Sequence, residues 1–232
     1  MRSALATVDS ARPQVPRLRQ QHDFYVEERW FVEALFDAER FTGPIWDPAC
    51  GTGTIPKVAR DRKLDFAGTD LVDRGFGCAP VDFLAPTNRD YLADNFSIVC
   101  NPPFKLADRF IKRALDLGAD RVAMLLRWSW AEGGVGNRAS SKLHSWCLDE
   151  APLARIYVAV NRVSMPPGDV AVEAKGGAVA FGWFVWEKNF KGTPTFVRLR
   201  KGNYIHHSLD CGGGVNCILD CGIKRQNDGS ER

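Results

Sequence analysis

An α/β fold, built on a central, mostly parallel sheet with helices on both faces and an antiparallel hairpin at one edge, is what this sequence predicts. Three observations carry that expectation. Short apolar, strand-like runs alternate with segments of helical spacing through most of the chain. The aromatic-rich run Phe181–Trp186 reads as a buried strand, which fits a sheet covered on both sides. The last two strand-like runs, at 155–160 and 178–186, have no long helical pattern between them, which fits a hairpin.

The elements follow in order. Residues 1–21 are punctuated by Pro13 and Pro16 and read as a disordered or loosely docked arm. From Glu27 to Phe36 the set Trp30, Phe31, Ala34 and Leu35 recurs at helical spacing, and Thr42-Gly43-Pro44 ends that segment. Ile45 and Trp46 open a short strand that runs into Asp47-Pro48-Ala49-Cys50-Gly51-Thr52-Gly53, after which Thr54, Ile55, Val58 and Ala59 resume helical spacing. Strands are expected at 64–69, 97–100 and 122–126, and a helix at Ala107–Leu117 shows Phe110, Ile111, Ala114 and Leu115 on one face. Beyond about Lys201 the pattern dissolves, so the expected division is an arm at 1–21, one domain at 22–200 and a flexible tail at 201–232.

Composition narrows the class. The 232 residues are 45% hydrophobic and 25% charged, an ordinary globular balance for a single α/β domain. A net charge of +3 is too small to demand a nucleic-acid partner, although Arg2, Arg12, Arg17 and Arg19 make the first segment basic. No apolar run approaches the roughly 20 residues that span a bilayer. The N-terminus lacks the apolar core of a signal peptide, and seven cysteines read as reduced thiols, so a cytoplasmic location is expected. His206, His207, Cys211, Cys217 and Cys221 lie close together, but their spacing matches no paired Cys-x-x-Cys pattern, and no metal is expected.

Two motifs carry chemistry. In a doubly wound sheet the ligand sits beyond the carboxyl ends of the strands, where the first loop turns into the first helix, and Asp47–Gly53 occupies that position. Gly51 and Gly53 let the backbone approach a ligand closely. Asp70, roughly 20 residues on, stands where a carboxylate meets ribose hydroxyls. Pro56 replaces the third glycine of a dinucleotide loop, so no pyrophosphate site is spelled out, and a nicotinamide oxidoreductase is disfavoured. A nucleoside cofactor without phosphates fits better, and Asp47 suits a cationic group. A glycine-rich turn without a ligand is the competing reading of this loop taken alone. The second motif, Asn101-Pro102-Pro103-Phe104, directly follows a strand. Its prolines fix the backbone and remove donors, leaving a rigid turn that offers the Asn101 side-chain oxygen and the Pro102 carbonyl as acceptors. Such a turn holds a planar amino group by its hydrogens, and Phe104 offers a stacking face.

Together the two motifs resemble those of Rossmann-like amino-methyltransferases, class I in fold, and among them DNA adenine-N6 methyltransferases, over about residues 22–187. The resemblance implies S-adenosylmethionine as cofactor, held by Asp47, Pro48, Ala49, Cys50, Gly51 and Gly53, with Asp70 and Leu71 at the ribose. It also implies Asp82 and Phe83 at the adenine, Asp23, Phe24 and Tyr25 closing over the methionine end, and Asn101 shared by cofactor and acceptor. The catalytic set is then Asn101, Pro102, Pro103 and Phe104. The family's tetrapeptide often begins with Asp and ends with Tyr; Asn at its first place is shared by enzymes acting on RNA adenine and on protein glutamine, and both acceptors stay open beside DNA. A non-catalytic module binding S-adenosylmethionine or nucleic acid is the rival from another class, and the intact tetrapeptide speaks against it.

Arg127, Trp128 and Trp130, followed by Gly133-Gly134-Val135-Gly136-Asn137-Arg138 and Lys142, interleave aromatic and basic residues in a loop on the expected ligand side. With Arg138 they are the candidate substrate contacts, and Arg162 with Met165-Pro166-Pro167 forms a second candidate rim. A connecting loop without contacts is an equal alternative. The stretch from Gly133 to Pro152 is short for a target-recognition segment. That predicts low or short-sequence specificity, a specificity partner or homodimer, or a structured substrate. The expected partner is nucleic acid, DNA ahead of RNA, and no membrane.

Overall fold

The computed structural model describes residues 23–86, 93–168, 177 and 179–202. The basic arm, the Cys/His-containing tail and residue 178 of the expected last strand lie outside the described residues. Seven strands form one sheet: β1 (Ile45–Asp47), β2 (Phe66–Gly68), β3 (Ser97–Cys100), β4 (Arg121–Arg127), β5 (Leu153–Ala159), β6 (Phe181–Glu187) and β7 (Thr195–Leu199). Their order across the sheet is β2-β1-β3-β4-β6-β5-β7. All neighbouring pairs are parallel except those of β6, which runs antiparallel to both β4 and β5. The doubly wound, mostly parallel sheet is as expected, and β5 and β6 do pair antiparallel. The hairpin strand β6 inserts between β4 and β5, while β7 covers the outer edge.

Helices α1 (Arg29–Ala38) and α2 (Thr54–Asp61) pack on one face and α3 (Ala107–Asp116) on the other. Strand β4 shows why its sequence alternates so little between apolar and polar. Val122, Met124 and Leu126 face the α3 layer, Ala123 and Leu125 face the α1–α2 layer, and all five are buried. Strand periodicity of two sends successive side chains into different cores, so a doubly covered strand must be apolar throughout. The aromatic strand Phe181–Trp186 repeats this, with Trp183 on the α1 side donating to the Phe31 carbonyl at 3.1 Å. Trp186 on the α3 side donates to the Cys147 carbonyl at 2.8 Å. A buried indole needs such a partner.

Two stretches differ from the sequence reading. Gly133–Pro152, read as a loop, contains helix α4 (Ala139–Ser145), which continues into a wider π-type turn at Trp146–Glu150. α4 has no fully buried residue, so its apolar stripe is weak; it is held instead by Ser145 Oγ donating to the Gly134 carbonyl and by His144 Nδ1 3.1 Å from Asp108. β7, with mostly exposed positions, carries no strand-like apolar run and forms because β5 offers it an edge.

Candidate active site

The site lies beyond the carboxyl ends of the parallel strands, around a cavity of about 330 Å³. The loop after β1 builds its floor. Gly51 and Gly53 hold positive φ, at 52° and 84°. A Cβ at Gly51 would stand 2.7 Å from the Phe24 ring, and one at Gly53 2.5 Å from the Phe76 ring. Both positions therefore need glycine for space as well as for backbone conformation. The Gly51 N–H donates to Asp70 Oδ2 at 2.8 Å, which ties the loop to the end of β2. Asp70 Oδ1 accepts from the Val72 N–H at 2.9 Å and from Arg74 at 2.8 Å. A carboxylate offers about four acceptor positions, so Asp70 keeps room for one further donor.

Asp47 stands behind this loop rather than in the cavity wall. It is buried, its Oδ1 accepts the Ala49 N–H at 3.2 Å, and Cys100 adjoins it. Gly53, which N-caps α2, is likewise outside the wall, and both residues shape the loop. Pro48, Ala49, Cys50, Leu71, Asp82 and Phe83 line the cavity, Asp82 also accepting the Leu84 N–H at 2.9 Å.

Residues 23–27 cross the cavity as a strap. Val26 N–H donates to the Pro166 carbonyl at 3.0 Å, and Gly168 N–H donates to the Phe24 carbonyl at 3.1 Å. Met165-Pro166-Pro167, read from sequence as a rim, is thus the strap's anchor. Asp23, Phe24, Tyr25 and Glu27 all line the cavity. Arg74 lies over the Phe24 ring at 4.0 Å. At its other side the strap meets the Asn-Pro-Pro-Phe turn. Tyr25 and Phe104 stack with centroids 5.7 Å apart, and the Asn101 amide donates to the Tyr25 carbonyl at 2.8 Å and to Glu27 Oε2 at 3.0 Å. Asn101 and Pro103 reach the cavity wall, whereas Pro102 is buried behind them.

The electrostatics are acidic. Asp23, Glu27, Asp70 and Asp82 line the cavity against Arg74 and Lys105. Burial pushes the Glu27 carboxyl above its ordinary value, and burial followed by the nearby Glu27 raises Asp47 well above its own. Burial likewise raises the thiols of Cys50 and Cys100, which holds both as neutral SH groups. A cation entering the cavity relieves this strain by favouring the ionised carboxylates. Among the described residues no cluster of three or more His, Cys, Asp or Glu is placed to hold a metal ion.

A second, smaller recess of about 140 Å³ lies across the turn, lined by Phe104, Leu126, Arg127, Ser129 and Trp130. The Arg127 guanidinium sits 4.5 Å over the Phe104 ring, and its Nε is buried without a hydrogen-bond partner among the described residues. Trp130 donates to Asp108 at 2.8 Å. Trp128 turns the other way, against Phe184 and Phe196, and lines neither recess. Arg138 is exposed just ahead of α4. Sequence reasoning misses Glu27 and Arg74. Glu27 looks like an ordinary helix-preceding acid, and the signal for Arg74 is only its i,i+4 spacing from Asp70.

No protein-family model matches this sequence, and none of the curated proteins compared with it matches. Solved structures resemble the fold. One, described as the modification subunit of a putative type I restriction enzyme from Vibrio vulnificus, is 16% identical over 75% of this chain, with a TM-score of 0.47. The chain spans 46% of that protein's length. The 23S rRNA methyltransferase ErmE is 12% identical over 72% of this chain and 70% of its own, with a TM-score of 0.47. A dimethyladenosine transferase from Plasmodium falciparum is 12% identical over 71% of this chain and 62% of its own, with a TM-score of 0.45. At such identities and scores the functional reading rests on the site's own geometry.

Proposed function

We propose that the chain is an S-adenosylmethionine-dependent methyltransferase acting on an amino nitrogen, with adenine N6 of DNA as its first acceptor. The observation that carries this reading is the shared wall. Asn101 and Pro103 of the acceptor turn line the same cavity as Gly51, Asp70 and Asp82 of the nucleoside-type loop. The residues fit the cofactor. Asp70 has acceptor capacity for a ribose hydroxyl, Asp82 and Phe83 offer an acceptor and a ring, and the acids under the strap suit a cation. When bound, S-adenosylmethionine supplies an electrophilic methyl group on a positively charged sulfur.

The chain's own residues then position and polarise the acceptor. Asn101 Oδ1 accepts a hydrogen of the amino group, which turns the nitrogen lone pair out of conjugation and toward the cavity. The amino group stays anchored there until its surplus proton leaves to water after transfer. Positioning of this kind supplies most of the rate without a metal or a covalent nucleophile. Phe104 offers its stacking face to a base that takes the place of the Arg127 guanidinium, a contact worth about 1–3 kcal/mol for an unstacked base. The planar Arg127 guanidinium over that ring marks a face that takes flat groups, as a base flipped from its duplex or captured from a single strand is flat. Arg127, Trp130 and Arg138 are the proposed substrate side of the site.

The test is incubation with methyl-labelled S-adenosylmethionine and, separately, duplex DNA, single-stranded DNA, RNA and cell protein. Label on DNA recovered as N6-methyladenine is the expected result. Label only on RNA adenine or protein glutamine keeps the chemistry and replaces the acceptor. Cofactor binding with no transfer to any acceptor overturns the enzyme reading in favour of a binding module.

A further inference from the structure

We infer that Glu27 is a positioning residue that fixes the polarity of the Asn101 amide, and that this pairing selects acceptors bearing N–H hydrogens. The inference rests on the methyltransferase reading and deepens it. An asparagine amide has a donor end and an acceptor end of nearly the same shape, and either can face a substrate. Here both hydrogens of the Asn101 amide point inward, one to the Tyr25 carbonyl at 2.8 Å and one to Glu27 Oε2 at 3.0 Å. Turning the amide over would set Oδ1 against two acceptors, one a backbone carbonyl that never donates. Only Oδ1 is therefore presented to the acceptor. An amino group is welcomed there, while a carbonyl oxygen in its place meets acceptor against acceptor.

The same geometry accounts for the residue type at 101. An aspartate there would bring a second carboxylate within about hydrogen-bond distance of the buried Glu27, and would turn an oxygen toward the Tyr25 carbonyl. With Glu at 27, asparagine is the residue that supplies both an inward donor and an outward acceptor. Glu27 is 9% exposed and belongs to the same segment as Tyr25, so one segment both lines the cavity and holds the Asn101 amide.

The test is a polarity exchange read at saturating cofactor. Asn101→Asp is expected to lower kcat at pH 8 by at least about a hundredfold. Glu27→Gln alone lowers kcat by about two- to tenfold, the weight of one hydrogen bond. In the double variant the introduced glutamine amide donates to the introduced carboxylate, so adding Glu27→Gln to Asn101→Asp raises kcat by about tenfold over Asn101→Asp alone. The Tyr25 carbonyl keeps the recovery partial. An oligonucleotide with hypoxanthine in place of the target adenine is expected to bind more weakly to the native protein. The melting temperature without cofactor supplies a second readout. Asn101→Asp lowers it at pH 8 and less as the pH falls and the carboxyl pair takes up a proton, and Glu27→Gln restores part of the loss.

A double variant no more active than Asn101→Asp overturns the positioning role, and so does recovery of melting temperature without recovery of kcat. Failure of the native protein to methylate any acceptor refutes the methyltransferase reading itself. Failure of the double variant in an active enzyme refutes only the polarity lock.

Discussion

Two clusters of charge, each with buried acids at its centre or beside a cavity, sit at opposite ends of the sheet, and they are built on different terms. At the amino ends of β4 and β5, Glu39 and Glu187 meet Arg121 and Arg155. Arg155 donates to Glu39 Oε2 at 2.6 Å and to Glu187 Oε2 at 2.6 Å, Arg121 donates to Glu187 Oε1 at 3.1 Å, and the Tyr157 hydroxyl donates to Glu39 at 2.9 Å. Each acid has a cation, and the cluster joins α1 to three strands. At the carboxyl ends, Glu27 and Asp47 face each other's charge with neutral donors, the Asn101 amide and the Thr54 hydroxyl at Glu27 and the Ala49 N–H and Cys100 thiol at Asp47, but no cation paired to either among the described residues. Burial there is tolerated by raising the carboxyls rather than by pairing them. A closed network holds a fold together; an uncompensated one, beside a cavity, is ready for a positive ligand.

Breaking each end should produce a different kind of damage. The largest expected effect is on turnover: Asn101→Ala lowers kcat by about 10²–10³-fold, the weight of one preorganised hydrogen bond to a reacting group, while cofactor affinity measured by titration changes far less. At the opposite end, Glu39→Ala leaves two arginines short of a partner and costs about 3 kcal/mol of stability. It should appear as a lowered denaturation midpoint with kcat unchanged wherever the protein is folded, and unchanged stability would show that the network contributes little.

pH sharpens the contrast. Because Glu27 and Asp47 are raised in the folded protein, their contribution to the stability of the ligand-free form is present at low pH and lost as pH rises through those raised values. A bound cation reverses the preference, so affinity for S-adenosylmethionine should be full at high pH and weaken as pH falls, by up to about tenfold per unit for each proton taken up. A titration series from pH 8 to pH 5 reads this directly, and a flat profile would remove the acids from cofactor binding. The smallest effect is expected at the rim. Arg138→Ala should weaken nucleic-acid binding only a few-fold and reduce its salt dependence by about one counterion, with kcat intact.

What the sequence disclosed divides along the same line. The strands of the doubly covered sheet were legible because burial on both faces leaves continuous apolar runs, and the Asn101 turn and Asp70 because each stands at a fixed interval from a strand end. The strap was only half visible: Asp23–Tyr25 were read by resemblance, but Glu27 acquires its role from meeting Asn101, 74 positions away. Arg74 is similar, since its stacking on Phe24 exists only once the strap has crossed the cavity. β7 and α4 escaped because neither buries a full apolar stripe, and edge pairing or a few polar anchors hold them instead. Asp47 reads from sequence as a ligand contact, yet the fold turns it beneath the loop, where its backbone partner holds the turn.

The most direct measurement is calorimetric titration of the native protein with S-adenosylmethionine at pH 8, repeated with the Asp70→Asn variant. One molecule bound per chain, with affinity clearly reduced in the variant and falling as the pH is lowered, is the expected result. Absence of binding to the native protein at any pH, or binding indifferent to both Asp70 and pH, would contradict the assignment of this cavity to the cofactor and the methyltransferase reading built on it.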